Sequence, residues 1–323
     1  MDEIGGDPGA RFGSGSLPDL LDMGDRLIAR AGAKSPLLNR LLAHYPLTSR
    51  GLLLAFVGLL LLLVLPPLVV WLLRRFGHLQ TNFRQERIPQ SYGLVILLWT
   101  VPMLALAGML FPAARPERWL WLWAVLGFGA LGLSDDLWGD KRIKGLRGHF
   151  RAAFHQRTLT TGFVKAVGGG LLALWIGHLA EPENLPAALL AALLIALAAN
   201  AINLLDLRPG RAGAVFLVAS GLLLAYSVWN GARGVPSLLY VVLPTLPVYE
   251  RDARAKVMLG DVGSNLLGAC LGLGVATLLP VAAQLTVLLL LIGLHVVAEC
   301  LSLTALIEKQ PLLRALDRLT GER

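Results

Sequence analysis

Charge is scarce in this chain. Asp, Glu, Lys and Arg make up 15% of its 323 residues, against about 25% in a water-soluble domain, so an ordinary soluble fold is excluded. Cysteine is nearly absent. Cys270 and Cys300 both lie in apolar runs, without metal-ligand spacing or a disulfide framework, and read as small buried hydrophobes. Strands of alternating polarity, which an outer-membrane barrel requires, are missing. No secretory leader is expected either, because the first apolar run begins too far from Met1. There is no internal repeat, and Asp and Glu sit at the ends of apolar runs rather than near their middles, which argues against a transporter built from repeated halves.

What the sequence does have is hydrophobicity, 55% of its residues, gathered into runs that reach the roughly 17–25 residues of a membrane-crossing helix. Nine spans are predicted, at about 51–73, 91–111, 118–134, 161–179, 186–205, 211–229, 235–248, 261–280 and 283–306. The expected fold is all-α: a polytopic transmembrane helical bundle of about nine spans over residues 51–323, with cytoplasmic loops forming the site. Residues 1–50 form an N-terminal extension. Its GGDPGARFGSGS stretch has the composition of disorder, and LPDLLDMGDRLIARAGAKSPLLNRLLAHY has helical spacing suited to an amphipathic helix on a membrane surface.

The net charge of +8 does not signal nucleic acid. Nineteen Lys and Arg fall in the loops after spans one, three, five, seven and nine, and three in the alternate loops. This is the positive-inside pattern and places the odd-numbered loops in the cytoplasm.

Four polar inserts then fall on that one face: TNFRQERIPQ (81–90), SDDLWGDKRIKGLRGHFRAAFHQR (134–157), NAINLLDLRPGR (200–211) and VYERDARAKVMLGDVGSN (248–265). Residues that hydrocarbon rejects mark function in a membrane protein. Asp135, Asp136, Asp206 and Asp261 are positioned to gather around a divalent cation, which would offset the repulsion between the adjacent pair. Mg²⁺ suits such oxygen donors and shares its shell with substrate phosphates. Lys144, Arg147, Lys165, Arg208 and Arg211 would face those phosphates. In GDVGSN, glycines 260 and 263 permit a tight turn, and Ser264 or Asn265 would cap the helix that follows, whose N-terminal N–H groups favour a nearby phosphate. An Asp at a span end also serves as a simple helix cap, but an adjacent pair with Asp261 in a glycine turn on the same face favours the metal–phosphate reading. His149 and His155 read as surface residues of a basic loop, and Trp119, Trp121 and Trp123 as an interfacial belt.

SDDLWGD, NAINLLD and MLGDVGS, in this order, resemble the motifs of the polyprenyl-phosphate N-acetylhexosamine-1-phosphate transferases. That family includes the phospho-N-acetylmuramoyl-pentapeptide transferases and the UDP-GlcNAc:undecaprenyl-phosphate GlcNAc-1-phosphate transferases. The resemblance covers about residues 80–305. It implies a Mg²⁺-dependent transfer of a sugar phosphate from a UDP-linked N-acetyl sugar to a polyprenyl (undecaprenyl) phosphate, giving a lipid-diphosphate sugar and UMP for cell-wall or envelope glycan synthesis. It also implies a bacterial plasma membrane location with a cytoplasmic active site. Asp135 and Asp136 match the family's Asp pair, acting on metal or lipid phosphate. Asn203 and Asp206 match its NxxD motif, Asp261 matches the Asp taken to bind Mg²⁺, and Lys165 a lysine near the start of the following helix. Asp135 joins Asp261 in the expected metal set; Asp135, Asp136 and Asp206 form the expected catalytic set. Asn203 and Ser264 join the expected substrate-binding residues, and Pro89 falls in the family's polar Pro-containing stretch. The implied partners are a polyprenyl phosphate, a UDP-sugar and the membrane, with no nucleic acid; a homodimer is left open.

The sequence departs from the family pattern at Pro209, where a second Asp is expected, with Arg208 beside it. It departs again in IEKQPLLRALDRLTGER (307–323), which lacks the expected His-rich loop and ends before a tenth span. These three departures bear on the sugar-nucleotide side more than on the metal and lipid-phosphate side. The alternative expectation is therefore a catalytically altered member that binds polyprenyl phosphate or nucleotide as a regulator or assembly partner.

Overall fold

The computed structural model describes residues 48–111, 115–139, 161–230 and 237–322, with residues 22, 23 and 26. Asp140, Lys144, Arg147, His149, His155 and most of the predicted N-terminal extension lie outside the described residues. The chain divides into two compact units, Met1–Val57 and Gly58–Arg323. In the first, Arg50 at the start of a long apolar helix pairs with Asp22 at 2.7 Å. The second holds the candidate site.

The elements are α1 (Ser49–Arg75), a hairpin of β1 (Leu79–Thr81) and β2 (Arg87–Pro89), α2 (Leu94–Leu110), α3 (Arg115–Trp138), α4 (Thr161–Ala180), α5 (Leu185–Leu205), α6 (Arg211–Trp229), α7 (Leu239–Ala253), α8 (Gly260–Leu278), α9 (Val281–Cys300), α10 (Leu303–Lys309) and α11 (Pro311–Thr320). A helix stands at each of the nine predicted spans. Six of them, α1, α3, α4, α5, α8 and α9, are long and apolar enough to cross a membrane, while α2 and the described part of α6 are apolar but shorter. The chain is thus an all-α, multi-pass membrane protein, and the one sheet among the described residues is the antiparallel pair β1–β2, with Gln80 opposite Ile88.

Local chemistry sets these elements. Leu- and Ala-rich α5 is built from strong helix formers. Asn184 caps it by accepting from the Ala187 N–H at 3.2 Å, with proline in its first turn. Helix α7 contains Pro244 and Pro247. Pro244 has no N–H for the Tyr240 carbonyl, and Thr100 of α2 donates to that oxygen at 3.0 Å, which restores the bond that hydrocarbon would not supply.

Helix α8 is the centre of the bundle. Its residues from Val262 to Val275 are almost all buried, and it packs most extensively on α5 and α3. Small residues permit this approach, as expected where membrane helices associate by close backbone packing. A Cβ at Gly268 or Gly272 would strike the α5 backbone at Ala198 or Leu194, and one at Gly132 of α3 would strike the Asp261 carbonyl of α8.

Three expectations need correction. Cys300 is exposed and only Cys270 is buried, because α9 lies against the bundle with none of its residues buried. Trp121 is core, 1% exposed, while Trp119 and Trp123 face outward; the 3.6-residue turn puts alternate tryptophans on different faces, so they do not form one belt. Helix α8 starts at Gly260, without a side-chain cap of its own. Ser264 and Asn265 are therefore inside it and cannot be its caps.

Candidate active site

The described parts of the four polar inserts meet at one end of the bundle. Asp135 and Asp136 stand in the last turn of α3, Lys165 in the second turn of α4, Asn203 in the last turn of α5, and Asp261 in the first turn of α8. Their convergence starts with the backbone. Gly260 has φ +76°, a left-handed conformation costly for any residue with a Cβ. Such a Cβ would also lie 2.7 Å from Asp136 Oδ2 and 2.8 Å from Ser91 Cα. This glycine turn delivers Asp261 to the end of α3.

The adjacent carboxylates do different work. Asp136 is held by four donors. Gln90 Nε2 (3.1 Å) and Ser91 Oγ (2.7 Å) donate to it from the segment after β2. The N–H groups of Asp261 (3.0 Å) and Val262 (3.1 Å) donate from the start of α8. Asp136 is thus the cap of α8, supplied by another helix, and its charge sits where the helix dipole favours an anion. Ser91 is fully buried with φ +62°, and its hydroxyl also meets His78 Nε2 at 2.8 Å.

Asp135 points to the other side. Lys165 Nζ lies 3.5 Å from Asp135 Oδ2 and is also bonded to Asp261 Oδ2. The one ammonium is thus shared by two carboxylates from different helices. Asn203 completes the group. With its amide turned to satisfy every neighbour, its nitrogen donates to Ser264 Oγ at 2.9 Å and Asp261 Oδ1 at 3.1 Å, and its oxygen accepts from Lys165 Nζ at 3.1 Å. Side-chain exposures of 17% for Lys165, 22% for Asp135 and 29% for Asp261 leave the cluster open to solvent or substrate while shielding it from most of the bulk water. Asp206 lies one residue beyond α5, and its N–H donates to the Asn203 carbonyl at 3.2 Å. Burial pushes its carboxyl well above the usual carboxylate range, and Asp252, Asp261 and Asp136 add to the rise, with Lys165 opposing it.

The structure therefore brings together Asp135, Lys165, Asn203, Ser264 and Asp261, with Asp136 behind them and Asp206 close enough to feel the charges of Asp261, Asp136 and Lys165. It does not bring in two of the predicted phosphate-facing arginines. Arg211 is 4% exposed and forks onto Asp317, Nε to Oδ1 at 2.7 Å and Nη2 to Oδ2 at 3.1 Å. Arg208 pairs with Glu308 at 3.2 Å. A bidentate partner satisfies a guanidinium geometrically as well as electrically, so Arg211 is a structural residue tying the start of α6 to the C-terminal segment.

Sequence reasoning missed several positioning residues. Asp252, 5% exposed, accepts from the Gly210 N–H at 2.8 Å and the Leu259 N–H at 3.1 Å, joining the Asp206 loop to the turn before Asp261. The hairpin clamps the same turn: Pro89 O accepts from Met258 N (2.8 Å), and Tyr92 N donates to Met258 O (2.9 Å). Gln90 closes a polar insert whose placement was the available signal. Nothing in the sequence marks Ser91 or Gly132.

Chemically, the cluster offers two carboxylates and an amide oxygen converging on one cationic position, now filled by an ammonium. Such all-oxygen donors suit a hard divalent cation. Among the described residues no three Asp, Glu, His or Cys side chains are arranged to hold a metal by themselves, so phosphate or water would have to complete its shell.

Together these features define a class: a multi-pass helical membrane protein with an acid–amide–lysine cluster at one end of its bundle. The description of the glycosyl transferase family 4 fits residues 118–280, just over half of the chain and the stretch that holds every member of the cluster. The chain belongs to that transferase family. It is similar to the phospho-N-acetylmuramoyl-pentapeptide-transferase of Chlamydia muridarum (strain MoPn / Nigg), 28% identical over 261 residues that cover 68% of this chain and 72% of that protein. It is similar also to those of Geobacillus sp. (strain WCH70), 29% identical over 264 residues, and Bacillus subtilis (strain 168), 26% identical over 271 residues. Each of these two alignments covers 76% of this chain and 79% of the relative.

Proposed function

We propose that this chain transfers an N-acetylhexosamine 1-phosphate from a UDP-sugar to a polyprenyl phosphate at the cytoplasmic surface of a bacterial plasma membrane, in cell-wall synthesis. The observation that carries this reading is the meeting of Asp135, Lys165, Asn203 and Asp261, from four different helices, at the end of a membrane bundle. A phosphate oxygen of the lipid attacks the sugar-bearing phosphorus of the donor. The bond from that phosphorus to the bridging oxygen breaks, and UMP departs with the oxygen. Phosphoryl transfer asks the protein chiefly for positioning and neutralisation of charge, which is what the cluster is composed to give. A lipid-phosphate acceptor accounts for a site at span ends, where a headgroup meets side chains without drawing them into hydrocarbon.

Asp135 and Asp261 would hold Mg²⁺, which when bound supplies neutralising charge to the diphosphate. Lys165, now shared by those two carboxylates, would turn its ammonium to a phosphate oxygen. Asn203 keeps Asp261 and Ser264 in register, and Asp136 holds the first turn of α8. The relatives' name points to a phospho-N-acetylmuramoyl-pentapeptide donor. A bundle of nine spans, with local thinning of the bilayer and snorkelling of flanking side chains accommodating the shorter apolar helices, agrees with the basic loops.

A second reading is a member that binds lipid phosphate without turnover. It is favoured by the engagement of Arg208 and Arg211 with Glu308 and Asp317, which removes two cations from the sugar-nucleotide side. Purified protein with Mg²⁺, undecaprenyl phosphate and a panel of UDP-sugars decides between them. The transferase releases UMP from at least one donor, and Asp261→Asn ends the release. Absence of UMP from every donor, with undecaprenyl phosphate still bound, establishes the second reading.

A further inference from the structure

The segment after α9 carries a feature that the transfer reaction does not use. Helix α11, PLLRALDRLT, has none of its residues buried. Leu312, Leu316 and Leu319, at i, i+4 and i+7, share one face and are 72%, 52% and 79% exposed, with Leu313 beside them at 40%. Its other side is fixed. Asp317, 10% exposed, is gripped by Arg211 at the start of α6. Beyond the helix, the Glu322 N–H donates to the Ala253 carbonyl at 2.7 Å, and Glu322 pairs with Arg84. Gly321 packs against the Pro209 carbonyl. The helix is thus clamped to the loop that bears Asp206 while a row of leucines faces outward.

We propose that α11 is a membrane-surface helix, whose leucine face enters the headgroup–acyl boundary and which straps the Asp206 loop to the bilayer. Three observations select a bilayer as the occupant of that face. Helix α9, an apolar helix of membrane-crossing length, ends at Cys300, and only the seven-residue α10 separates it from α11, so the membrane surface is at hand. Arg314 and Arg318 lie on the helix sides away from the Leu312–Leu316–Leu319 row, and Lys309 precedes it, which suits anionic headgroups. A helix with one leucine face and one Arg-bearing face has the composition of those that lie in the interface plane.

The test needs no catalysis. Cys300 is replaced by Ser, Cys270 is left in place because it is buried, and single spin labels are placed at Leu316→Cys or Arg314→Cys in the full chain. The protein is reconstituted in nanodiscs of phosphatidylcholine with phosphatidylglycerol. The Leu316 label is expected to collide with dissolved oxygen and to lie about 5–10 Å below the headgroup boundary, while the Arg314 label collides with a water-soluble nickel chelate. A Leu316 label open to the chelate overturns the proposal. So does one shielded from both reagents, which would mean that a second copy or another protein covers the face. A label at Leu319 reads the same face if the Leu316 variant does not fold.

Discussion

The division of labour between Asp135 and Asp136 makes a sharp prediction. Replacing Asp136 by Asn keeps the shape and removes the charge. Its Oδ1 accepts from Gln90 and Asp261, and its Oδ2 from Ser91 and Val262. An amide must turn its NH₂ toward one of these pairs. Ser91 can reverse its hydroxyl and accept, so the better orientation puts the NH₂ at the Oδ2 position and forfeits only the Val262 bond. One cap bond costs about 1 kcal/mol, and the lost charge at the start of α8 costs about 0.5–1 kcal/mol more. Destabilisation of about 1.5–2 kcal/mol should lower the thermal midpoint by about 3–6 °C. Asp136→Ala strands all four donors and should cost about 2–4 kcal/mol, since partial exposure lets water take some of them. The assay is tryptophan-monitored unfolding in detergent, run beside UMP release on the same preparation. Asp136→Asn should lose stability and retain measurable turnover, whereas Asp261→Asn should keep its midpoint and lose turnover. An Asp136→Asn protein as stable as the wild type but without UMP release would refute the reasoning, because Asp136 would then act on substrate.

Other expectations follow from the same geometry. Lys165→Met leaves Asp135 and Asp261 facing each other without a cation; at their exposure this should cost about 1–2 kcal/mol, and millimolar Mg²⁺ should restore the midpoint by more than it shifts the wild type. Gly132→Ala drives a Cβ into the Asp261 carbonyl, so α3 must retreat from α8; the cost should be about 1–3 kcal/mol, with a parallel fall in UMP release. Arg211→Ala strands the largely buried Asp317 and should cost about 3–5 kcal/mol, while Arg211→Met with Asp317→Leu should recover most of it in the same unfolding assay.

Much of this was legible in the sequence because a bilayer enforces simple rules. Hydrocarbon requires long apolar helices, so a helix stands at each predicted span, and six of those described are long and apolar enough to cross a membrane. It also rejects charge, so the acidic residues that remained were informative, and Asp135, Asn203 and Asp261 do meet. What stayed hidden depends on register and backbone. Helical phase decides that Asp135 turns to Lys165 and its neighbour Asp136 to α8, and that Trp121 enters the core between two outward-facing tryptophans. The capping of α8 from α3, through Asp136 rather than Ser264 or Asn265, is a long-range contact that no local pattern encodes. Arg211 looked like a phosphate ligand because charge in a polar insert does not reveal its partner, and Asp317 lies more than a hundred residues away. The left-handed Ser91 has no compositional mark at all.

The central claim is that Asp135 and Asp261 jointly form a cation position beside Lys165 and Asn203. Binding of Mn²⁺, followed by electron paramagnetic resonance on the detergent-purified chain with undecaprenyl phosphate, tests it most directly. The wild type should bind Mn²⁺ competitively with Mg²⁺ and show phosphorus coupling from the lipid. Binding should be lost in Asp261→Asn, weakened in Asp135→Asn and retained in Asp136→Asn. Unchanged binding in both Asp135→Asn and Asp261→Asn, or binding that depends on Asp136 alone, would contradict the account.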